Sequence, residues 1–448
     1  TKAKVGTDYV LSTNTDIYEY DLASKKTTNL TEGMMGYDTN PQYSKEGVLA
    51  WLSMTHDGNE SDKNDLYILK NGKRINLTAQ WDNTILSYRW SNDGKRIYLI
   101  APTQGTEQLF VVDVYSKNTT PIQLTQGVFD VNSIVGQAGD QLVVIRTDMN
   151  HAAELYTINL KEKKKEYLSL TQLSHFNDEQ YKQIAQCPIK ERIIKTTDGK
   201  DMHAWVIYPP DFDPNKKYPT LLYCQGGPQS IVSQFYSFRW NFQLMASQGY
   251  IVIAPNRRGL PGFGVEWNAQ ISGDWGGQPM RDYLSAIDDI AKEPYVDKDR
   301  LGAVGASYGG YSIYYLAGIH QKRFKTFIAH CGVFNLESMY GTTEELFFNN
   351  NEIGGAYWEE RNAVAQKSYK EFNPIKKINN WDTPILIIHG GKDYRVPEEQ
   401  GFQAFTAAQL KGIRSELLYF PDENHWVLQP QNGLLWQRTF FKWLKETL

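Results

Sequence analysis

The sequence predicts two folds in tandem, a run of β-propeller blades and then a mostly parallel α/β sheet with helices on both faces. Three observations predict it. A repeat of about 47 residues is confined to the first part of the chain. Apolar strands then alternate with helix-length stretches, and a serine, an acid and a histidine fall in that order just past strand ends. The chain has 448 residues, of which 41% are hydrophobic and 22% charged. That is globular composition in an amount sufficient for two or three domains.

Lys plus Arg number 47 against 51 Asp plus Glu, a net charge of −4, and the longest basic stretch, residues 161–165, is broken by Glu162. No nucleic-acid partner is expected from that pattern. Three cysteines, Cys187, Cys224 and Cys331, match neither a zinc site nor a disulfide framework, so buried thiols and no metal are expected. No stretch approaches the roughly 18 consecutive apolar residues that a membrane span needs, so no membrane partner is expected. The opening Thr1-Lys2-Ala3-Lys4 is not a secretory signal.

The repeat is marked by Leu-Thr pairs at 30, 77, 124 and 170, spaced by 47, 47 and 46 residues. Ahead of each pair lies a β-like run: 17–20, 66–69, 109–112 and 155–158. A second run falls mid-repeat at 48–52, 97–100 and 142–145, behind turn residues such as Ser91-Asn92-Asp93-Gly94. Several short strands per unit at this period are the signature of propeller blades. About four blades are therefore expected in residues 1–178. Rings of this type rarely close on four, so the propeller reads as incomplete, with blades expected ahead of residue 1.

Residues 179–448 read as a second domain. Two strands flank the turn Asp198-Gly199, and six apolar strands follow at 220–225, 250–256, 301–305, 326–331, 385–390 and 415–420. Helical periodicity appears between them, at 281–292, 311–320, 398–410 and 433–445, the last with an apolar stripe of Leu434, Leu435, Phe440, Phe441 and Leu444. The expectation is an eight-stranded, mostly parallel sheet.

Gly305-Ala306-Ser307-Tyr308-Gly309 fits G-x-S-x-G between a strand and a helix, the context that makes this domain an α/β hydrolase. A serine hydroxyl needs a base to take its proton and a carboxylate to orient that base. Asp393 follows one later strand and His425 follows the next. The assignment is nucleophile Ser307, orienting acid Asp393 and general base His425. Asp422 and Glu423 lie too near His425 along the chain to orient it, and His330 and His389 sit in apolar strands as core residues. The oxyanion donors expected are the N–H of Tyr308 and one from the loop Gln225-Gly226-Gly227-Pro228, with Gly227 ahead of Gly226. No H-E-x-x-H, Walker or dinucleotide motif occurs, so no cofactor is implied.

A propeller followed by Gly226-Gly227-Pro228, by residues 305–311 (GASYGGY), by residues 390–397 (GGKDYRVP) and by Glu423-Asn424-His425 resembles the prolyl oligopeptidase family of serine peptidases. Within it the closest pattern is the acylaminoacyl-peptidase and bacterial dipeptidyl-peptidase 5 branch. The resemblance implies seven or eight blades and short peptide substrates. It implies that Arg395 bonds a substrate carbonyl, and that Val333, Leu336, Met339 and Val396, with Tyr340 and Phe347 as further candidates, line an apolar pocket for the residue before the cleaved bond. Enzymes of the dipeptidyl-peptidase IV type carry a Tyr in the oxyanion loop and a propeller Glu pair for the substrate amine. Neither is present here, since Glu344-Glu345, Glu359-Glu360 and Glu398-Glu399 all fall in the second domain.

The leading expectation is a serine exopeptidase that releases N-terminal dipeptides through an acyl-enzyme. The alternatives are an acylaminoacyl-peptidase or oligopeptidase, a carboxylesterase, and a non-catalytic propeller binding module. A periplasmic or secreted location suits the Lys-, Asn- and Tyr-rich blades, with cytoplasm as the alternative, and a homodimer is left open.

Overall fold

The structure, a computed structural model, describes residues 7–162 and 166–448. Residues 163–165 of the lysine-rich stretch and the opening four residues lie outside the described residues. The chain divides into two compact units. One holds Thr1–Ile184, Ser233–Tyr236 and Pro261–Ala269; the other holds Ala185–Val232, Ser237–Leu260 and Gln270–Leu448. The chain thus first changes unit after Ile184 rather than after residue 178, and two short later segments cluster with the repeats.

In the first unit, β1 (Tyr18–Tyr20) and β2 (Thr27–Asn29) form a two-stranded sheet. Three four-stranded antiparallel sheets follow. They are β3 (Asp38–Tyr43), β4 (Leu49–Ser53), β5 (Asp65–Lys70) and β6 (Lys73–Asn76); β7 (Ser87–Trp90), β8 (Arg96–Thr103), β9 (Thr106–Asp113) and β10 (Ile122–Gln123); and β11 (Asp130–Ala138), β12 (Gln141–Asp148), β13 (His151–Asn159) and β14 (Leu170–Gln172). The expectation of about four blades becomes three four-stranded sheets and one two-stranded sheet among the described residues. Each strand pairs with its neighbour in sequence, which is why the repeat was readable at all. β8 is apolar on both faces because both are covered. Ile97 and Leu99 join the cluster of Leu52, Leu66 and Phe110, whereas Tyr98 and Ile100 join Leu142, Val144 and Ile158.

The Leu-Thr beat has a specific bond behind it. Thr31 Oγ1 accepts from the N–H of Ile17 at 2.9 Å, Thr78 from Leu66 at 2.9 Å and Thr125 from Leu109 at 3.0 Å. Each hydroxyl donates in turn to the side chain just before that strand residue: Asp16 at 3.4 Å, Asp65 at 2.8 Å and Gln108 at 2.7 Å. In the last sheet Ser174, not Thr171, does this work, accepting from Leu155 N at 2.8 Å and donating to Glu154. The pair at 170 is therefore not the structural equivalent of the others. Nearby, wholly buried Asp130 accepts from the N–H groups of Glu107 (2.9 Å) and Gln234 (3.1 Å). Burial pushes both carboxyls up, and the charge of Asp130 pushes Glu107 further.

The second unit is built on one eight-stranded sheet. Its strands are β15 (Ile189–Lys195), β16 (Asp201–Ile207), β17 (Tyr218–Cys224), β18 (Ile251–Pro255), β19 (Val296–Ala306), β20 (Thr326–His330), β21 (Ile385–Gly390) and β22 (Ser415–Phe420). They lie in the order β15-β16-β18-β17-β19-β20-β21-β22. The first two pairings are antiparallel and the rest parallel, so β19, β21 and β22 all end on one edge. Helices cover the sheet, and β18, β20 and β21 are buried along their whole length.

The final helix, Pro430–Thr447, departs from the expected stripe. It buries Trp436, Phe440, Trp443 and Leu444, while Leu434 and Leu435 are exposed. The two indoles decide the face because each buries a ring and finds an acceptor, Trp443 Nε1 on Thr326 Oγ1 at 2.8 Å and Trp436 Nε1 on His330 Nδ1 at 3.3 Å. The three cysteines are buried, and none of them is joined in a disulfide.

Candidate active site

Ser307 stands between β19 and the helix Tyr308–Ala317 with φ 61° and ψ −122°, a conformation that L-residues avoid and that persists only where the surroundings enforce it. Here they do. Its N–H donates to His330 O at 2.9 Å, and its carbonyl accepts from Tyr311 N at 2.9 Å. A methyl group on Gly309 would collide with the carbonyl of Cys224, so glycine lets the helix close onto the end of β17. The serine is thereby turned out at the head of a helix, whose N-terminus favours negative charge.

Asp393 sits in the turn after β21, 3% exposed. Its Oδ1 accepts from Arg395 N at 3.1 Å and Val396 N at 2.9 Å, and its Oδ2 lies 2.6 Å from Nδ1 of His425, just past β22. Burial alone would raise this carboxyl. The hydrogen bond and charge of His425, then His389 and the Val396 N–H, bring it below the ordinary carboxylate value. It is ionised at neutral pH and holds His425 by Nδ1, leaving Nε2 for proton transfer.

The structure therefore joins the predicted acid and base and sets the predicted nucleophile on the same sheet edge. No hydrogen bond links Ser307 Oγ to His425 among the described residues; such bonds commonly tighten only in the substrate complex. Asp422 instead pairs with Lys392 at 3.0 Å, and Glu423 accepts from the N–H groups of Leu428 and Gln429, shaping the segment after His425. His330 and His389 are wholly buried, and burial holds both imidazoles below their usual value.

The glycine loop after β17 reaches the serine. Gly226 abuts it, since a methyl group there would lie 3.5 Å from Ser307 Cβ. Gly227 has φ 114°, and a side chain on it would strike the backbone of Gln229. The loop is gripped by Arg257, a wholly buried residue that sequence reasoning missed. Its guanidinium donates to the carbonyls of Gln225 (3.3 Å) and Pro228 (2.9 Å) and lies 4.5 Å from the ring of Tyr308. Arg257 follows an apolar strand directly, and a guanidinium there needs acceptors; that was the available signal.

Val333, Leu336, Met339 and Val396 are all buried, at 2–3% exposure, and Tyr340 is 9% exposed. Arg395 is less enclosed. Its Nη2 lies 2.7 Å from Glu345 and 3.8 Å from Glu344, with its guanidinium 5.7 Å from the ring of Trp426 beside His425. Glu344-Glu345 was noted in the sequence, but nothing there placed it at the Asp393 turn. The backbone explains it: Glu344 N donates to Tyr394 O at 2.9 Å, and Thr343 Oγ1 to Arg395 O at 2.8 Å.

Among the described residues, donor atoms of Cys331, His389 and Asp393 lie within 4.8 Å of one another. Asp393 is already filled by two amides and His425, and His389 Nε2 lies 2.8 Å from the carbonyl of Val396. The cluster supports the acid rather than offering a metal an open position. A cavity of about 480 Å³ lies in the first unit, lined by Arg146, Asp148, His151, Glu154 and Tyr181 among others, and none of the candidate catalytic residues lines it.

A serine held in a forbidden turn, with a buried Asp–His pair on the same edge of a parallel sheet, is the arrangement of the α/β hydrolases. The family is narrower. Residues 236–448 match the prolyl oligopeptidase family. It is 51% identical over 450 residues to dipeptidyl-peptidase 5 of Porphyromonas gingivalis, covering 100% of this chain and 64% of that protein. It is 33% identical over 441 residues to dipeptidyl-peptidase 5 of Schizosaccharomyces pombe, covering 96% of this chain and 62% of that one. The chain thus spans a little under two thirds of the length of these relatives. Its fold is similar to that of Pyrococcus horikoshii acylaminoacyl peptidase (TM-score 0.83, 21% identity, 97% of this chain and 66% of that chain). It also resembles Porphyromonas gingivalis dipeptidyl peptidase 4 (TM-score 0.73, 20% identity, 97% and 60%). Propeller-type sheets followed by an α/β hydrolase are the shared architecture.

Proposed function

We propose that the protein is a serine exopeptidase that releases dipeptides from the amino termini of peptides, with Ser307, His425 and Asp393 as its catalytic triad. The observation that carries the reading is the 2.6 Å Asp393–His425 contact on the sheet edge where Ser307 is forced outward. The relatives named dipeptidyl-peptidase 5 support the choice of dipeptides.

Ser307 Oγ attacks the scissile carbonyl while His425 Nε2 takes its proton, and Asp393 stabilises the imidazolium. The oxyanion of the tetrahedral intermediate is met by the N–H of Tyr308 and by one from the Gly226-Gly227 loop. His425 then protonates the departing amine. Water, deprotonated by the same imidazole, releases the dipeptide from the acyl-enzyme. Val333, Leu336, Met339 and Val396 supply an apolar pocket for the side chain before the cleaved bond.

Arg395 binds the carbonyl of the N-terminal residue. The ammonium of that same residue lies only about 3 Å from its carbonyl oxygen by covalent geometry. A carboxylate ion-paired with Arg395 is therefore within its reach, and Glu344, half of whose side chain is exposed, is the group we assign to it. Product mass spectrometry on free and N-acetylated peptides tests the reading. Dipeptides from free peptides alone are expected; cleavage of the N-acetylated set instead makes the enzyme an acylaminoacyl-peptidase. Cleavage of esters but not matched amides makes it a carboxylesterase.

A further inference from the structure

One buried carboxylate outside the triad is tied to both oxyanion donors. Glu352, the last residue of the helix Leu346–Glu352, is 1% exposed. It accepts four side-chain hydrogen bonds: Gln229 Nε2 at 2.9 Å, Ser272 Oγ at 2.8 Å, Asn351 Nδ2 at 2.9 Å and Trp275 Nε1 at 3.0 Å. A carboxylate can accept all four; few other groups of its size could.

Two of the donors lead to the reacting centre. Gln229 ends the segment Gly226-Gly227-Pro228-Gln229, whose backbone Arg257 already fixes at Gln225 and Pro228, so Glu352 supplies the next tether along the loop. Trp275 lies edge-on to Tyr308, with ring centroids 4.9 Å apart, and its carbonyl accepts from Tyr308 OH at 2.8 Å. Tyr308 is the residue after the nucleophile, and its N–H is the other donor. One buried charge thus holds the glycine loop on one side and the indole that braces Tyr308 on the other.

We propose that Glu352 is a positioning residue for the oxyanion site, fixing the distance between the glycine-loop donor and the Tyr308 N–H. The inference rests on the serine-peptidase reading above. An oxyanion is stabilised only by donors already in place, so loosening one tether acts on the transition state and leaves ground-state binding nearly alone. Glu352→Gln keeps the volume but turns one acceptor into a donor that faces other donors. Glu352 is buried, so a second variant, Gln229→Met, cuts the loop tether at a partly exposed position and leaves the other three bonds to Glu352 in place.

The test is kcat and KM per active site, counted by titration with a fluorophosphonate, together with affinity for a peptide trifluoromethyl ketone, which forms an oxyanion on the serine. Glu352→Gln is expected to lower kcat per titrated site by about 10- to 100-fold, with KM within about 3-fold. Gln229→Met should lower kcat by roughly 3- to 10-fold, and ketone affinity should fall in parallel with kcat/KM in both variants. Wild-type kcat per titrated site and wild-type ketone affinity in both variants would overturn the proposal, whatever happens to the melting temperature. Failure of the underlying reading looks different: the parent chain would not be titrated, or Ser307→Ala would hydrolyse peptides as well as the parent.

Discussion

The two units bury polar side chains to opposite ends. In the first, the same bond is made again and again: a hydroxyl from Thr31, Thr78, Thr125 or Ser174 accepts from the N–H of a residue in or beside a strand and donates its own O–H to an acid or amide. In the second, each buried polar group works once. Asp393 orients His425, Arg257 grips the glycine loop, and Glu352 gathers four donors. Repetition spreads the stability of the scaffold over several copies; the single-use groups concentrate the chemistry. Damage should follow that division, appearing as lost turnover in the second unit and as lost stability in the first.

The sharpest test of the contrast is Ser307→Ala, expected to lower kcat by about 10⁶-fold at unchanged melting temperature. Asp393→Asn is expected to lower kcat by about 10⁴-fold, because the asparagine favours the wrong imidazole tautomer. Steady-state assays with a dipeptide amide read both. Glu344→Gln should raise KM roughly 10-fold for substrates with a free amino terminus and leave the inhibition constants of their N-acetylated counterparts unchanged. Equal effects on the two classes would remove Glu344 from amine recognition.

In the first unit, Thr125→Val should cost about 1–2 kcal/mol of unfolding free energy, read by urea titration, with kcat unchanged. A large fall in kcat would break the comparison. Glu107→Gln tests the pH dependence. A carboxyl raised in the folded state keeps a proton that the unfolded chain has already lost. The Glu107–Asp130 pair therefore contributes most below the ordinary carboxylate range and loses that contribution as pH rises through its raised values. The variant should melt a few degrees above the parent at pH 8 and converge with it near pH 4.

What the sequence disclosed depended on whether the cause was local. The blades were visible because one Thr bond recurs at a fixed period, and the period was misplaced in the last sheet, where Ser174 replaces Thr171 in the role. The order of Ser307, Asp393 and His425 was readable because each follows a strand that carries an apolar run: 301–304, 385–388 and 417–420. The face of the last helix was not, since Trp436 and Trp443 win it through acceptors at the two ends of β20. Arg257, Glu352 and the Glu344–Arg395 pairing were hidden for the same reason. A charge buried by partners from distant parts of the chain looks, in sequence, like any surface charge.

The two units cannot be separated by one cut. The chain changes unit after residues 184, 232, 236, 260 and 269, so the first unit is completed by two short stretches of later sequence. Within it Val265 N donates to Asp82 at 2.8 Å and Gln104 N to Gly262 O at 3.2 Å. Transplanting blades from a relative must therefore carry residues 233–236 and 261–269 as part of the donor, or those bonds will be left to mismatched sequence.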